Sequence, residues 1–150
     1  MSRIGNVLVA GLVATVVLSG LMVIKSMMGL MPQLDLPQMI AAMMGAPNQP
    51  AIGWGVHVMI GIALYGAAMA LLHERLPGDS AVAHGVLIAV VGWLMMMVVL
   101  MPMAGTGMFG MNLGIMAPMM TLILHLVFGA VLGAVYGRLQ QSGGGPAHAI

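Results

Sequence analysis

Two histidines at matched positions are the residues most able to carry chemistry in this chain. The segments 50–61 and 118–129 share the spacing Pro-x6-His-x3-Gly, which gives His57 and His125 the same register. Both lie in long apolar stretches, where a histidine is costly enough that a functional site is its default interpretation. Imidazole is a common axial ligand of haem iron. We therefore expect the two histidines to form one shared site.

Small side chains flank each histidine at helical spacing. Residues four apart lie on one helix face, so each ring has a flat space beside it. Such a space would suit bis-histidine haem b, or a chlorophyll on either ring. Alternatively, each histidine hydrogen-bonds to a neighbouring helix and the glycines allow close packing. The flanking residues are Gly53 and Gly61 for His57, and Thr121 and Gly129 for His125.

Methionine is the second feature with chemical potential. The chain has 20 methionines, and most fall in the windows 27–44 and 95–120. Thioether sulfur is a soft ligand that selects Cu(I), and a Met-x3-Met pair places two sulfurs on one helix face. Alternatively, methionine serves as a flexible apolar filler. The candidate copper ligands are Met27, Met31, Met97 and Met101.

The composition identifies the elements that must position these residues. Hydrophobic residues make up 61% of the chain, charged residues 5%, and the mean hydropathy is +1.11. A soluble domain carries about 25% charged residues, so this chain is expected to be a polytopic membrane protein. A helix needs about 20 apolar residues to cross the hydrocarbon, which predicts an all-α fold with four transmembrane helices. The predicted spans are Ile4–Ile24, Ala51–Leu72, Val82–Met103 and Ile115–Gly137.

The four spans are predicted to form two tandem helix-pair repeats. Leu-Met-Pro occurs at 30–32 and again at 100–102, ahead of the two histidine segments. Repeats of the same orientation imply a pseudo-two-fold axis along the membrane normal; chance similarity between apolar segments is the alternative. Residues 1–140 are then one transmembrane domain, with repeats at about 4–75 and 80–138. Residues 141–150 are expected to be a disordered cytoplasmic tail.

The positive charges set the expected orientation. With four spans, Arg3, Arg75 and Arg138 fall on one side and Lys25 on the other. The positive-inside rule then places both termini in the cytoplasm, with the protein in the prokaryotic inner (plasma) membrane.

The fourth predicted span, Ile115–Gly137, also carries a stripe of small residues. Gly129, Gly133 and Gly137 recur every four positions, a pattern that lets another helix backbone approach closely. The partner is a helix of this chain, a second copy in a homo-oligomer, or part of a larger membrane complex; the sequence leaves these open.

The segments around the histidines resemble an uncharacterised family of small four-helix prokaryotic integral membrane proteins, a domain of unknown function. The resemblance rests on Trp54-Gly-Val-His57 in helix 2, and on His125-Leu-Val-Phe-Gly129 with Val-Tyr136-Gly137 in helix 4. It covers nearly the whole chain and implies no activity.

The sequence favours a non-enzymatic protein. It lacks a catalytic triad, a carboxylate pair and a phosphate loop, and it has no basic patch for nucleic acid. The leading interpretation is an accessory or haem-type cofactor-binding subunit that uses the paired histidines. The alternatives are a copper(I)-handling or small-solute or ion transport protein that uses the methionine-rich face, and a purely structural membrane protein whose main contact is the lipid bilayer.

Overall fold

The computed structural model describes residues 2–143, and over this range the chain is helical with no strand. Four helices are long and apolar enough to cross a membrane, and one short helix lies between the first two. The predicted all-α class and the predicted four helices of membrane-spanning length are thereby confirmed. In chain order the helices are α1 Arg3–Met27, α2 Leu36–Met43, α3 Pro50–Leu72, α4 Ala81–Met103 and α5 Met116–Gly143.

Capping side chains and prolines set the helix starts. The Ser2 hydroxyl accepts from Gly5 N at the start of α1, and the Ser80 hydroxyl accepts from Ala83 N at the start of α4. These bonds satisfy backbone donors that a helix N-terminus leaves free. Helix α3 begins at Pro50, a residue whose fixed φ suits the first helical turn.

The short helix α2 follows the same logic. The Asp35 carboxylate accepts from Gln38 N at 3.0 Å, and Pro37 occupies the first turn. Pro37, Ile40 and Ala41 are buried, so α2 packs onto the start of α3. It covers one end of the bundle.

The two ends of the bundle differ in composition. The arginine end holds Arg3, Arg75 and Arg138, and there Arg3 pairs with Glu74 at 3.1 Å and donates to the Ala70 carbonyl. The methionine end holds the connections 28–49 and 104–115. The second of these is a glycine-rich turn in which Gly105, Gly107, Gly110 and Gly114 all have positive φ.

Helix α5 is the centre of the packing. It lies against α1 on one side and α4 on the other, while α3 packs on α1. The core combines alanines of α1 with bulky side chains of α5, chiefly Phe128, Leu132 and Tyr136. Helix α3 contacts α4 mainly through Tyr65–Leu72, and residues of both helices, this stretch included, also line a cavity.

The glycine stripe of α5 packs on α4 of the same chain. A Cβ at Gly129 would lie 2.5 Å from the Gly85 carbonyl oxygen, and one at Gly133 would overlap the Ala81 carbonyl oxygen. A Cβ at Gly137 would lie 3.1 Å from that of Ala81. The partner helix that the sequence left open is therefore within this chain, and an oligomer would need another surface.

A matching contact joins α1 and α3. Gly61 lies against the Thr15 side chain, and Gly11 approaches the Gly61 carbonyl oxygen. In the other pair, Gly129 lies against Gly85 and Ala89. In both halves, the glycine four residues after the histidine contacts a Gly-x3-small pair on the preceding long helix.

Each helix pair has a second glycine contact, and its distance along the chain from the first differs by one residue between the pairs. Gly66 faces the Val7 carbonyl oxygen, as Gly133 faces that of Ala81. The step from Gly61 to Gly66 is five positions, whereas that from Gly129 to Gly133 is four. A π-helical turn at Ile60–Leu64 accounts for the extra residue, because such a turn inserts one position into an α-helix.

The predicted boundary at residue 140 is too early. Helix α5 continues through Gly143, so residues 141–143 are helical rather than part of a tail. The remaining residues of the predicted tail, 144–150, lie outside the described part of the chain.

Candidate functional site in the cavity between α3 and α4

A cavity of about 650 Å³ lies between α3 and α4, with α1 and α5 as its floor. It extends from Lys25 near the methionine end to Leu76 at the arginine end. Its rim is formed by exposed apolar side chains such as Leu64, Val91 and Met95. The cavity therefore opens sideways, toward the space that lipid fills around a membrane protein. Its volume is in the range of sites that bind small molecules and cofactors.

Both predicted histidines line this cavity. His57 comes from α3 and His125 from α5. Apart from them, the polar residues of the lining are Thr15, Lys25, Tyr65 and Thr121.

His57 has an unsatisfied nitrogen. Its side chain is only 7% exposed, and its Nε2 is buried without a hydrogen-bond partner among residues 2–143. Trp54 packs edge-on against the ring, with 5.8 Å between the ring centroids. Most buried polar atoms are hydrogen-bonded, and one without a partner costs about 1–3 kcal/mol. Asn6 Oδ1 and Ser19 Oγ are also buried without a partner in the described part of the chain, but of these three residues His57 alone lines the cavity.

His125 is held in one tautomer by its own helix. Its Nδ1 lies 2.8 Å from the Thr121 carbonyl oxygen. Because a carbonyl only accepts, Nδ1 carries the proton, and Nε2 of the neutral ring is left with a free lone pair. That nitrogen can ligate a metal or accept a hydrogen bond.

Thr121 is itself fixed by two further bonds. Its hydroxyl donates to the Ala117 carbonyl oxygen at 2.8 Å and accepts from Trp93 Nε1 at 3.0 Å. The tryptophan belongs to α4, so this bond ties α4 to the helix turn that precedes His125. Thr121 thus orients the site instead of leaving space in it.

The flat clearance predicted beside the histidines is filled by neighbouring helices. A Cβ at Gly53 would overlap the Pro37 carbonyl oxygen of α2, and one at Gly61 would overlap the Thr15 hydroxyl. Gly129 is closed by the backbone of α4. This expectation was wrong, because helical spacing shows which residues share a face but not which helix covers that face. The glycines allow close packing, which was the stated alternative.

The four candidate copper ligands separate into two environments. Met97 and Met101 are fully buried at the methionine end, and Met31 packs against the same cluster. Met27 is 83% exposed and points away from it. The Met101 sulfur accepts a hydrogen bond from the Thr106 hydroxyl at 3.3 Å. Three of the predicted residues therefore share one cluster, and the fourth does not.

A second histidine pair at the arginine end was given no role in the sequence interpretation. Nδ1 of His73 and Nδ1 of His84 are 2.8 Å apart, and Nε2 of His84 lies 3.2 Å from the Pro77 carbonyl oxygen. The carbonyl requires His84 Nε2 to donate, so in a neutral pair His73 donates to His84. Tyr136 packs edge-on against the His73 ring. A signal existed: a short turn with Pro77 and Gly78 brings the end of one helix beside the start of the next.

The electrostatics of this second pair follow from its position. Partial burial and the neighbouring His84 hold the pKa of His73 below its ordinary value of 6.5, and Arg3 acts in the same direction. Glu74 opposes them. Among residues 2–143, no three His, Asp or Glu side chains gather in a way that could hold a metal ion. The pair is a satisfied hydrogen-bonded unit.

Comparison with known proteins places the chain in a family. Residues 1–145 match a family of unknown function, DUF6789. The chain belongs to this family. The predicted membership of an uncharacterised family is confirmed, whereas its prokaryotic origin remains a prediction. Neither the curated proteins nor the solved structures contain a match.

Proposed function

We propose that this DUF6789 protein is a non-enzymatic membrane protein that binds a hydrophobic cofactor or lipid-soluble ligand between α3 and α4. His57 and His125 are its polar contacts. The observation that carries this proposal is the buried, unpartnered Nε2 of His57, which belongs to a side chain that lines an apolar cavity. A ligand that reached this nitrogen would remove the cost of leaving it unsatisfied.

The proposed setting is the inner membrane, with both termini in the cytoplasm. Three arginines at one end of the bundle and Lys25 at the other support this orientation through the positive-inside rule. The Lys25 ammonium donates to the Met31 carbonyl oxygen at 3.2 Å, so it caps a backbone turn at the methionine end. The protein would then act as an accessory subunit of a larger complex through surfaces other than the glycine stripe.

We also propose that the two helix pairs are a tandem duplication. The support is the equivalent contact in each half, where a Gly-x3-small pair meets the glycine that follows the histidine. A duplicated helix pair would explain why the two histidines arrive at one cavity from different helices.

Haem b is the specific cofactor predicted from the sequence, and the fit is mixed. His125 Nε2 would hold the iron, since the Thr121 carbonyl keeps the proton on Nδ1; His57 Nε2 has no protein partner among the described residues but is buried. The positions beside the rings are filled, however, so a macrocycle would have to lie in the gap between α3 and α4.

The direct test is to purify the protein from its native membrane in mild detergent. Native mass spectrometry should find a bound non-protein mass in the wild-type protein that is lost in His57→Gln. A reduced-minus-oxidised absorption spectrum should identify haem by a Soret band with sharp reduced α and β bands. The proposal would be contradicted if the wild-type protein carried no bound mass. If His57→Gln then changed only the stability of the protein, a purely structural role would be favoured.

A second candidate is copper(I) handling or small-solute transport at the methionine end. The supporting observation is the shared cluster of Met31, Met97 and Met101. Cu(I) affinity measured by competition with a chromophoric chelator should fall in Met97→Leu/Met101→Leu and not in Met27→Leu. Equal affinity in all three proteins would exclude the cluster as the copper site.

A further inference from the structure

The shape of the cavity specifies more than a hydrophobic ligand. Helix α3 contributes lining residues from His57 to Leu72, a stretch of about 22 Å at 1.5 Å per residue. From His57 toward the arginine end, the lining on this helix is apolar except for Tyr65, and it includes Leu64, Ala68 and Leu72. A compact ligand at His57 would leave this channel without an occupant. A ligand with a polar head and a long apolar chain would fill both parts.

The two histidines present complementary hydrogen-bonding groups to such a head. His125 Nδ1 is committed as a donor to the Thr121 carbonyl, so its Nε2 accepts. No contact fixes the tautomer of His57, whose Nε2 has no partner, so this ring donates from Nε2 in one of its two neutral tautomers. A head group with one carbonyl and one hydroxyl, or with two groups that interconvert between these states, satisfies both rings. Isoprenoid quinones and quinols combine this kind of head with a long apolar chain.

We infer that the cavity is a binding site for an isoprenoid quinone or quinol. The ring lies between His57 and His125, and the prenyl chain runs along α3 toward the arginine end. The inference rests on the proposed function, because it names the ligand class of that same site. Only binding is inferred, and no electron transfer is assigned to the protein.

The sideways opening supplies the entry route for such a molecule. Leu64, Val91 and Met95 line the cavity and are 63%, 53% and 61% exposed. A quinone dissolved in the bilayer can therefore enter between α3 and α4 without passing through water. Dispersion and apolar burial along the channel would then give a quinone with a prenyl chain a higher affinity than a quinone without one.

The test compares two naphthoquinones that share a ring. One carries a polyprenyl chain, and the other is menadione, which has no chain. The protein is reconstituted in nanodiscs of phosphatidylcholine, and binding is followed by quenching of tryptophan fluorescence. Trp54 is a suitable reporter because its ring contacts His57.

Two substitutions separate the head from the chain. His57→Gln should weaken the binding of both quinones by about tenfold or more. Ala68→Phe, which places a bulky ring in the channel, should weaken only the polyprenyl quinone by about tenfold. Ala67→Phe is the matched control, since Ala67 is exposed and does not line the cavity. It should leave the affinity of both quinones unchanged.

The outcomes distinguish quinone binding from the binding of another ligand at His57. Saturable binding with this pattern of losses supports the inference. Equal affinity for both quinones, or equal effects of Ala68→Phe and Ala67→Phe, overturns the prenyl channel. If no quinone binds and a different mass co-purifies in a His57-dependent manner, the inference fails while the proposed function stands. If only phospholipid co-purifies, and it does so equally with His57→Gln, both fail.

Discussion

The two histidine pairs of this protein show how the same residue type takes different roles. His73 and His84 bond to each other, and His84 also bonds to the Pro77 carbonyl, so His84 has a partner for each ring nitrogen. His57 and His125 line one apolar cavity, and one nitrogen of His57 is buried without a partner. The two pairs differ in the hydrogen bonding of their ring nitrogens and not in burial, since both His57 and His84 are buried. An unsatisfied buried nitrogen indicates a site, whereas a satisfied one indicates structure.

The largest expected effect tests the helix contact on which both pairs depend. Gly129→Leu would push α5 from α4, because even a Cβ at this position lies 2.5 Å from the Gly85 carbonyl oxygen. Since α4 carries His84 and α5 carries His125, both pairs should be disturbed, with a loss of about 3 kcal/mol or more in the free energy of unfolding. Unfolding in mixed micelles measures this loss.

The control for this substitution is Gly20→Leu. Nothing lies within 4 Å of a Cβ at Gly20, so the free energy of unfolding should stay close to the wild-type value. Equal losses in the two variants would mean that the α4–α5 contact does not have the described geometry.

A smaller effect contrasts the two pairs directly. In the ligand-free protein, His57→Leu removes an unsatisfied nitrogen and should raise the free energy of unfolding by about 1 kcal/mol. His84→Leu leaves His73 and the Pro77 carbonyl without their partner, and should lower it by about 1–2 kcal/mol. The two variants should thus change stability in opposite directions. A loss of similar size in both would remove the distinction between the pairs.

The smallest expected effect is a pH dependence at the arginine end. The pKa of His73 lies below its ordinary value of 6.5, because burial and the facing groups His84 and Arg3 disfavour its charged form more than Glu74 favours it. The unfolded chain therefore binds more protons than the folded one below pH 6.5. The lowered pKa of His73 therefore leaves the free energy of unfolding unchanged above pH 6.5. As the pH falls from 6.5 through the pKa of His73 in the folded protein, the free energy of unfolding decreases.

The measurement is the melting temperature between pH 7.5 and pH 5 in the wild type and in His73→Gln. The wild type should lose more stability on acidification, by a margin of under about 1 kcal/mol at this partly exposed site. A steeper loss in His73→Gln would contradict the assigned sign.

Much of the fold could be predicted from the sequence because the relevant signals are local. The four spans follow from apolar length, and α2 follows from the Asp35 cap and Pro37 in its first turn. His57 and His125 line a common cavity, and their forming one site stays a prediction.

The missed features depend on which helices become neighbours. Gly53 and Gly61 were assigned to open space, whereas Pro37 and Thr15 occupy it. The π-helical turn at Ile60–Leu64 matches the five-residue step from Gly61 to Gly66, but this step becomes meaningful only when the packing against α1 shows that both glycines form contacts. Met27 and Met31 do not share a helix face, because α1 ends at Met27 and Met31 lies beyond it with a positive φ.

The central claim is that the intramembrane pair binds a ligand and the arginine-end pair does not. Native mass spectrometry of protein purified from its own membrane tests this most directly, on two variants of equal chemistry. His57→Gln/His125→Gln should lose the bound mass, and His73→Gln/His84→Gln should retain it at the wild-type level. Retention of the mass in the first variant, or its loss in the second alone, would contradict the account.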